Sequence, residues 1–127
     1  MDRAIKKYLF DISSAINSIE EYVGTPKIFA DYERNRQLQQ AVERNLEIIG
    51  EATKRILDID SNINISNARK IVGARNRIAH GYDDIDNTEI WSIVVNSLPI
   101  LKKEIDELQS GQMIEDRLKI MNPFASD

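Results

Sequence analysis

The 127-residue sequence contains no cysteine, only one histidine and no long apolar run. Without cysteine there is no disulfide, no thiol nucleophile and no cysteine-ligated zinc, and this composition fits a reducing compartment. Charged residues interrupt the N-terminus where a signal peptide needs an apolar core, and nothing approaches the roughly 18 apolar residues of a membrane span. We therefore expect a cytoplasmic protein that neither is exported nor enters a membrane, with no cofactor and no bound metal.

Acidic residues are missing from one stretch of the chain, Ser61 to Tyr82. The net charge of −4 divides into +4 within this stretch and −8 over the rest of the chain. A net negative protein does not coat nucleic acid in general, because its summed field repels phosphate. A local basic patch on an acidic body predicts instead one confined anion-binding surface. The four cations of the patch are Arg69, Lys70, Arg75 and Arg77.

Apolar residues recur at spacings of three and four along most of the chain, which predicts amphipathic helices, and no alternating pattern indicates a strand. We predict an all-α fold, a single domain over residues 1–127 built as a four- to five-helix bundle, with 110–127 as a variable tail. The predicted helices cover about residues 2–23, 26–57 with a break within 31–37, 66–80, 86–108 with a kink at Pro99, and 112–121 after a break at Ser110-Gly111.

Capping residues and glycines mark the predicted helix ends. Gly24 and Gly81 are natural stops for the first and third helices because glycine readily adopts the left-handed conformation of a helix terminus. Acceptor side chains and a first-turn proline mark the starts. The predicted starts are Thr25-Pro26 for the second helix, Ser66 or Asn67 for the third, and Asp86 with Glu89 for the fourth.

The only histidine lies at the end of the predicted third helix, in the run Gly73 to Tyr82. On a helix Asn76 and His80 lie one turn apart on the same face, whereas Arg75 lies about 140° from His80 around the axis. Arg75 must therefore reach round the helix or act from another subunit. An arginine that grips phosphate in bidentate fashion, beside an imidazole that titrates near neutral pH, is what metal-independent phosphodiester cleavage requires. The alternative is that His80 caps the helix and Arg75 forms an ordinary surface ion pair.

The spacing of Arg75, four residues, His80, one residue, Tyr82 resembles the signature of the HEPN superfamily, specifically its HepT-like toxins. The resemblance spans about Ala4 to Leu108, although the family often has Pro-Trp where this chain has Ser66-Asn67. Other segments similar to the family are Glu47 to Ala52, Ile71 to Asn76, and Trp91 with Leu98-Pro99.

The resemblance implies a metal-independent endoribonuclease toxin of a type VII-like toxin-antitoxin system, a homodimer in which Arg and His of both subunits meet in a cleft. It also implies a partner, a minimal nucleotidyltransferase that acts as antitoxin by adenylylating the motif tyrosine. Carried over by position, Arg75 binds the phosphate, His80 acts as general base or acid, Asn76 orients His80 or the substrate, and Tyr82 is the modified hydroxyl. Together with the basic patch, this predicts an RNA-binding surface formed by Arg75, Arg77, Lys70 and Arg69.

The carboxylates beside the motif allow a second interpretation. Clustered aspartates such as Asp83, Asp84 and Asp86 suit Mg²⁺. We favour a structural role for them, capping the fourth helix and balancing Arg75 or Arg77. A metal site therefore stays the less favoured interpretation of this cluster.

The second predicted helix carries an acidic row and a glycine. Glu43, Glu47 and Glu51 share one face, and such rows are mostly solvated, although Glu47 or Glu51 can also partner the basic patch. Gly50, and Gly73 in the third helix, each cost about 1 kcal/mol against alanine, which indicates close helix approach at both.

Two function classes compete with the ribonuclease. One is a catalytically silent helical adaptor that binds a nucleotidyltransferase or a nucleotide. The other is a plain dimeric scaffold. Loss of RNA cleavage on His80→Ala with folding intact would separate the ribonuclease from both the adaptor and the scaffold.

Overall fold

A computed structural model of the chain describes residues 1–81 and 85–124. Over these residues the fold is all-α, which confirms the predicted class, and the described ranges contain no strand. A π-helical turn (Ile93–Ser97) precedes the last helix. The α-helices of the described ranges are α1 (Arg3–Val23), α2 (Phe29–Glu33), α3 (Arg36–Ile59), α4 (Ala68–Ala79), α5 (Asn87–Ser92) and α6 (Leu98–Met121).

Helices α1 and α3 form the centre of the bundle. Helix α3 packs against α1 and also against α4, while α6 lies on α1. The apolar stripes predicted from the sequence face this core, and burying each large aliphatic side chain contributes about 1.5–3 kcal/mol. Among the fully buried side chains of the core are Leu9, Ile12, Ile16, Leu46, Ile49, Ile56 and Ile105.

The start of the second helix differs from the prediction. The Thr25-Pro26 peptide bond is cis, and α2 begins at Phe29 because the backbone is still extended at Ile28. Helix α2 ends after one turn, and Asn35 caps α3 by accepting a backbone N–H. The predicted break in this region is therefore confirmed, whereas the role of Thr25-Pro26 as the helix start is wrong.

The two capping predictions for later helices have opposite outcomes. Asn67 precedes α4 in a left-handed conformation, with φ of 60°, and its side chain makes no cap hydrogen bond. The backbone N–H and hydroxyl of Ser66 donate to Glu104, at 3.0 and 2.8 Å, so Ser66 ties the start of α4 to α6 instead of capping it. Asp86 does cap α5, since its carboxylate accepts the backbone N–H of Thr88 at 2.9 Å.

The predicted break at Ser110-Gly111 is wrong, because α6 runs without interruption to Met121. Glycine within a helix costs only about 1 kcal/mol against alanine, and contacts beyond it offset that cost. Gln112 is buried and donates to Asp116 at 2.8 Å, and Lys6 of α1 lies 3.5 Å from the same carboxylate.

The irregularity expected at Pro99 takes the form of the π-helical turn immediately before it. Proline lacks the N–H that an α-helix needs at an interior position, and here it falls in the first turn of α6. None of the helices in the described ranges is both long and apolar enough to span a membrane.

Candidate functional site

The site is built around the closest approach of α3 and α4. Gly50 is buried within α3, and a Cβ placed on it would lie only 2.3 Å from Cβ and 2.9 Å from Cγ of Arg75. The aliphatic part of Arg75 therefore occupies the space that a larger residue at position 50 would fill. This confirms the predicted close approach at Gly50. At Gly73 the added Cβ would make an ordinary 3.7 Å contact with Arg77, so the prediction of close approach there is wrong.

Two neighbours hold the guanidinium of Arg75. Nη2 lies 2.9 Å from Oε2 of Glu51 on α3, and Nη1 donates to Oδ1 of Asn76 at 3.1 Å. Glu51 also accepts from Nε of Arg55 at 2.9 Å, so one carboxylate joins two arginines. The Arg75 side chain is 27% exposed, and its buried Nε has no hydrogen-bond partner within the described residues. A guanidinium has five N–H donors, so these two contacts leave capacity for an anion.

Arg75 contacts Asn76, which lies on the same side of α4 as His80. Asn76 and His80 are four residues apart and share that face of α4. Arg75 donates to the Asn76 side chain, so its guanidinium is linked to the residue that lies one turn before His80 on α4. His80 is exposed, is the C-terminal capping residue of α4, and donates its backbone N–H to the Asn76 carbonyl at 3.1 Å. Gly81 follows with φ of 63° and ends the helix as predicted.

The other cations of the basic patch divide into two groups. Arg77 forms an ion pair with Glu89 of α5, and both side chains are about two fifths exposed. Arg69 and Lys70 are exposed in the first turn of α4. Neither forms an ion pair with any residue in the described ranges. Within the described residues Arg75 pairs with Glu51, one of the two glutamates suggested by the sequence, and Arg77 pairs with Glu89, whereas Asp83 and Asp84 lie outside those residues.

A groove of about 420 Å³ lies beside Arg75, between α1, α3 and α4. Its cations are Lys7, Arg44 and Arg75, and the half-buried ring of Tyr8 forms part of its wall. Lys7 lies 5.2 Å from the centre of the Tyr8 ring and forms a 2.9 Å ion pair with Asp11. The groove thus places an aromatic edge next to the Arg75 guanidinium, and its three cations are matched by three carboxylates, Asp11, Glu47 and Glu51.

The acidic row of α3 is less solvated than expected, since all three of its carboxylates are half-buried. Burial raises the pKa of Glu43, which lines a polar pocket of about 450 Å³ at the end of α4. Tyr32 is completely buried near Glu43, its hydroxyl has no hydrogen-bond partner within the described residues, and burial raises the pKa of that hydroxyl. Glu47 and Glu51 line the groove beside Arg75 instead.

Part of the predicted site lies outside the described residues. Tyr82, the predicted modified residue, and Asp83 and Asp84 of the aspartate cluster fall there. In residues 1–81 and 85–124, no three His, Asp or Glu side chains are grouped so that they could hold a metal ion.

Comparison with known proteins identifies the family to which this arrangement belongs. The profile of the family described as "Ribonuclease HepT-like" matches residues 12–108, which include α3, α4 and the whole segment Arg75 to His80. The chain belongs to the HepT-like ribonuclease family. This confirms the resemblance to the HEPN superfamily and supports a ribonuclease function for the chain.

Individual relatives agree with the family. "Putative RNase MJ1380" of Methanocaldococcus jannaschii is 36% identical over 107 residues, which cover 82% of this chain and 95% of that protein. "Probable ribonuclease HepT" of Thermococcus cleftensis is 36% identical over 111 residues, 86% of this chain and 99% of that protein. "Putative RNase MJ0125" of Methanocaldococcus jannaschii is 30% identical over 84% of this chain and 91% of its own length. No solved structure matches the chain.

Sequence reasoning singled out the arginine and the histidine but missed how the segment Glu47 to Ala52 on α3 holds the arginine. Glu51 was one of two candidate partners for the basic patch, and only the fold selects it for Arg75. The groove cations Lys7 and Arg44 were not identified at all, because they are distant in sequence from the motif. The available signal for Glu51 was its position next to Gly50, since a glycine within a helix often marks a close packing contact.

Proposed function

We propose that this chain is a metal-independent endoribonuclease in which Arg75 binds the scissile phosphate and His80 transfers protons. The observation that carries the proposal is the position of the Arg75 guanidinium. Glu51 and Asn76 hold it at the α3–α4 contact, and Asn76 lies one helical turn before His80 on α4. A fixed, planar cation of this kind can bind two phosphate oxygens at once and stabilise the charge that develops during cleavage.

The chemistry needs two proton transfers. The 2′-hydroxyl of the RNA attacks phosphorus and forms a new P–O bond, while the bond from phosphorus to the 5′-oxygen of the next nucleotide breaks. A general base removes the proton of the 2′-hydroxyl, and a general acid protonates the departing 5′-oxygen. The products are a 2′,3′-cyclic phosphate and a 5′-hydroxyl, and water is not needed for this step.

The active unit in this proposal is a two-fold homodimer. One chain contains one histidine, whereas the reaction uses a base on one side of the phosphate and an acid on the other. A two-fold interface brings His80 of both copies to one cleft, where Asn76 orients the imidazole or the substrate. Light scattering at micromolar concentration and mixed dimers with His80→Ala in one copy test this. A strict monomer with full ribonuclease activity would disprove it.

RNA is held by the basic patch. Arg69 and Lys70 are exposed on α4 and free of ion pairs with described residues, whereas Arg77 must exchange part of its contact with Glu89 to reach RNA. Because binding at a local patch releases counterions from phosphate, affinity should fall steeply with salt. The double change of Arg75 and Arg77 to Gln should flatten this dependence, and unaltered affinity and salt dependence would contradict the assignment.

The experiment that tests the proposed activity compares Arg75→Gln and His80→Ala with the parent on a labelled RNA. Arg34→Gln is the matched control, because Arg34 is exposed and pairs with Asp31 in α2, away from the site. We expect both site variants to lose cleavage while melting as cooperatively as the parent, and the control to retain activity. Cleavage should continue in EDTA. Full cleavage by His80→Ala would remove His80 from the chemistry, and a parent that does not cleave RNA would favour the silent adaptor that binds a nucleotidyltransferase or nucleotide.

Regulation completes the proposal: the chain acts as the toxin of a type VII-like toxin-antitoxin pair and is neutralised by adenylylation of Tyr82. Tyr82 follows His80 by two residues, directly after Gly81, whose positive φ ends α4. An adenylyl group there would place a phosphodiester near Arg75 and compete with RNA for the same cation. Incubation with a minimal nucleotidyltransferase and ATP should add multiples of an adenylyl mass and abolish cleavage, and Tyr82→Phe should prevent both. Full modification of Tyr82→Phe would place the modified residue elsewhere.

A further inference from the structure

The C-terminal half of α6 presents an apolar face to its surroundings. Five large apolar side chains there are 59% to 82% exposed: Met113, Ile114, Leu118, Ile120 and Met121. Their spacing places them on one side of the helix. Five exposed apolar side chains on one side of a helix, with the exposed Arg117 among them, are typical of an interaction site rather than of a solvated face.

The other side of the same helix segment is held against α1, which fixes the direction of the apolar face. Gln112 is buried, Asp116 lies 3.5 Å from Lys6, and Glu115 lies 3.8 Å from the amino group of Met1. The apolar face therefore points away from the bundle. It also lies beyond the family match, which ends at residue 108.

The preceding part of α6 carries a shallow, open groove on the same side of the helix. The groove of about 530 Å³ runs along its outer side, and a Cβ added at Gly111, in its lining, would meet no atom within 4 Å. The groove and the apolar face are therefore consecutive on one 24-residue helix, about 36 Å long at 1.5 Å per residue. The groove is lined by Pro99, Lys103, Asp106, Glu107, Gly111 and Ile114, among others.

The charges of α6 are self-complementary. Asp106 and Arg117 lie eleven residues apart, about three turns, and therefore share one side of the helix, the same side as the exposed apolar residues. They are both exposed, and neither forms an ion pair with a residue of the described ranges. Their midpoint falls between Gly111 and Gln112. In an antiparallel pair of α6 helices with a two-fold axis at this point, Asp106 of each copy faces Arg117 of the other.

We propose that α6 is a self-association surface through which two copies of this chain pair antiparallel about the Gly111 region. The apolar face of each copy sits in the groove of the other, and the two Asp106–Arg117 pairs set the register. No residue of this contact belongs to the Arg75 and His80 site. The α6 pairing is thus separate from the dimer of the proposed ribonuclease, and it joins two such dimers when both contacts form.

The size of the contact sets the concentration at which to test it. A single helix pair buries less than the roughly 1,600 Å² of a standard protein interface, so the association is expected to be weak and visible at tens of micromolar. The readout is the mass of each variant relative to the parent at the same concentration, measured by sedimentation velocity. If copies also associate near His80, the masses of parent and variants both rise, but the mass of each variant relative to the parent still reports the α6 contact.

Charge reversal gives the sharpest test of the register. Asp106→Arg and Arg117→Asp each place like charges opposite one another, and we expect each to lower the mass by half at concentrations where the parent is associated. The double variant D106R/R117D restores the pairs with reversed sign and should restore the parent mass. Parent-like masses for both single variants would overturn the proposal, and so would a double variant that stays dissociated.

Two further variants test the apolar contact and the position of the axis. Ile114→Glu should dissociate the pair, whereas Ile28→Glu, at an exposed position before α2, should not. The chain contains no cysteine, so Ser110→Cys beside the axis should form a disulfide between copies in air, whereas Ser61→Cys in an exposed loop should not. The assigned surface would be refuted if Ile28→Glu dissociated the pair as Ile114→Glu does, or if Ser61→Cys formed the disulfide as readily as Ser110→Cys.

Discussion

Gly50→Ala tests the contact on which the whole site depends. The added methyl carbon would lie 2.3 Å from Cβ of Arg75, 2.9 Å from its Cγ and 3.2 Å from the carbonyl oxygen of Ile71. Carbon atoms in contact prefer about 3.5–4.0 Å. The obstacles are a Cβ and a backbone oxygen, which cannot swing away as the end of a flexible side chain would. A rotamer change of Arg75 cannot relieve these contacts, so helix α4 must move away from α3.

The magnitude follows from two opposing effects. Overpacking a well-packed contact costs typically about 1–3 kcal/mol, and a clash this deep with fixed atoms belongs at the upper end. Replacing glycine by alanine within a helix returns about 1 kcal/mol. We therefore expect a net loss of about 2 kcal/mol in the free energy of unfolding, which corresponds to a fall in Tm of roughly 6–10 °C for a domain of this size.

The assay is thermal and denaturant unfolding of Gly50→Ala beside Gly73→Ala. Gly73 lies in α4, and its added Cβ would make only an ordinary 3.7 Å contact, so this control should gain about 1 kcal/mol from helix propensity. Under the proposed function Gly50→Ala also displaces the Arg75 guanidinium and should lose ribonuclease activity well below its melting temperature. A Gly50→Ala protein as stable as the parent, or more stable, would refute this account of the α3–α4 contact.

Three further predictions follow from single groups. Glu51→Gln should lower the free energy of unfolding by no more than about 1 kcal/mol, because the ion pairs of Glu51 are partly exposed. It should nevertheless reduce ribonuclease turnover by roughly tenfold or more, because Arg75 loses its position. Melting curves measure the first effect and steady-state kinetics the second, and unchanged turnover would contradict the role of Glu51. Tyr32→Phe should raise stability by about 1 kcal/mol by removing a buried hydroxyl without a described partner. Because burial raises the pKa of Tyr32, the stability that depends on its protonated hydroxyl is complete below the unfolded-state pKa of roughly 10 and is lost as the pH rises above it. Unfolding curves between about pH 8 and 11 should therefore show a smaller alkaline loss of stability for Tyr32→Phe than for the parent. An identical alkaline dependence would refute this prediction. Hydrogen bonds from Thr88 lower the pKa of Asp86 below 3.8, so the cap of α5 stabilises above that pH and weakens as the pH falls through the lower folded-state value; Thr88→Ala should raise the Asp86 pKa in an NMR titration, and an unmoved value would exclude this cause.

Local patterns in the sequence determined the class of fold and most of the helix ends. The three- and four-residue apolar spacing predicted α1, α3 and α4 because one face of each helix must be buried. Gly24 and Asp86 marked ends correctly, since caps act through backbone geometry and bonds to near neighbours. The helix break at Ser110-Gly111 was wrong because contacts with α1 stabilise a helix that local propensity alone would end.

The sequence by itself also determined which residues of the motif to examine, since one histidine and an acid-free stretch are visible in the printed letters. Only the tertiary structure decided what holds them. Glu51 lies 24 residues before Arg75 in the sequence, and only the packing of α3 on α4 brings their side chains to 2.9 Å. The same packing turns Gly50 from a weak helix position into the space that Arg75 fills. Contacts between helices depend on distances that no local pattern contains, which is why the fold was needed to place the charge partner of the arginine.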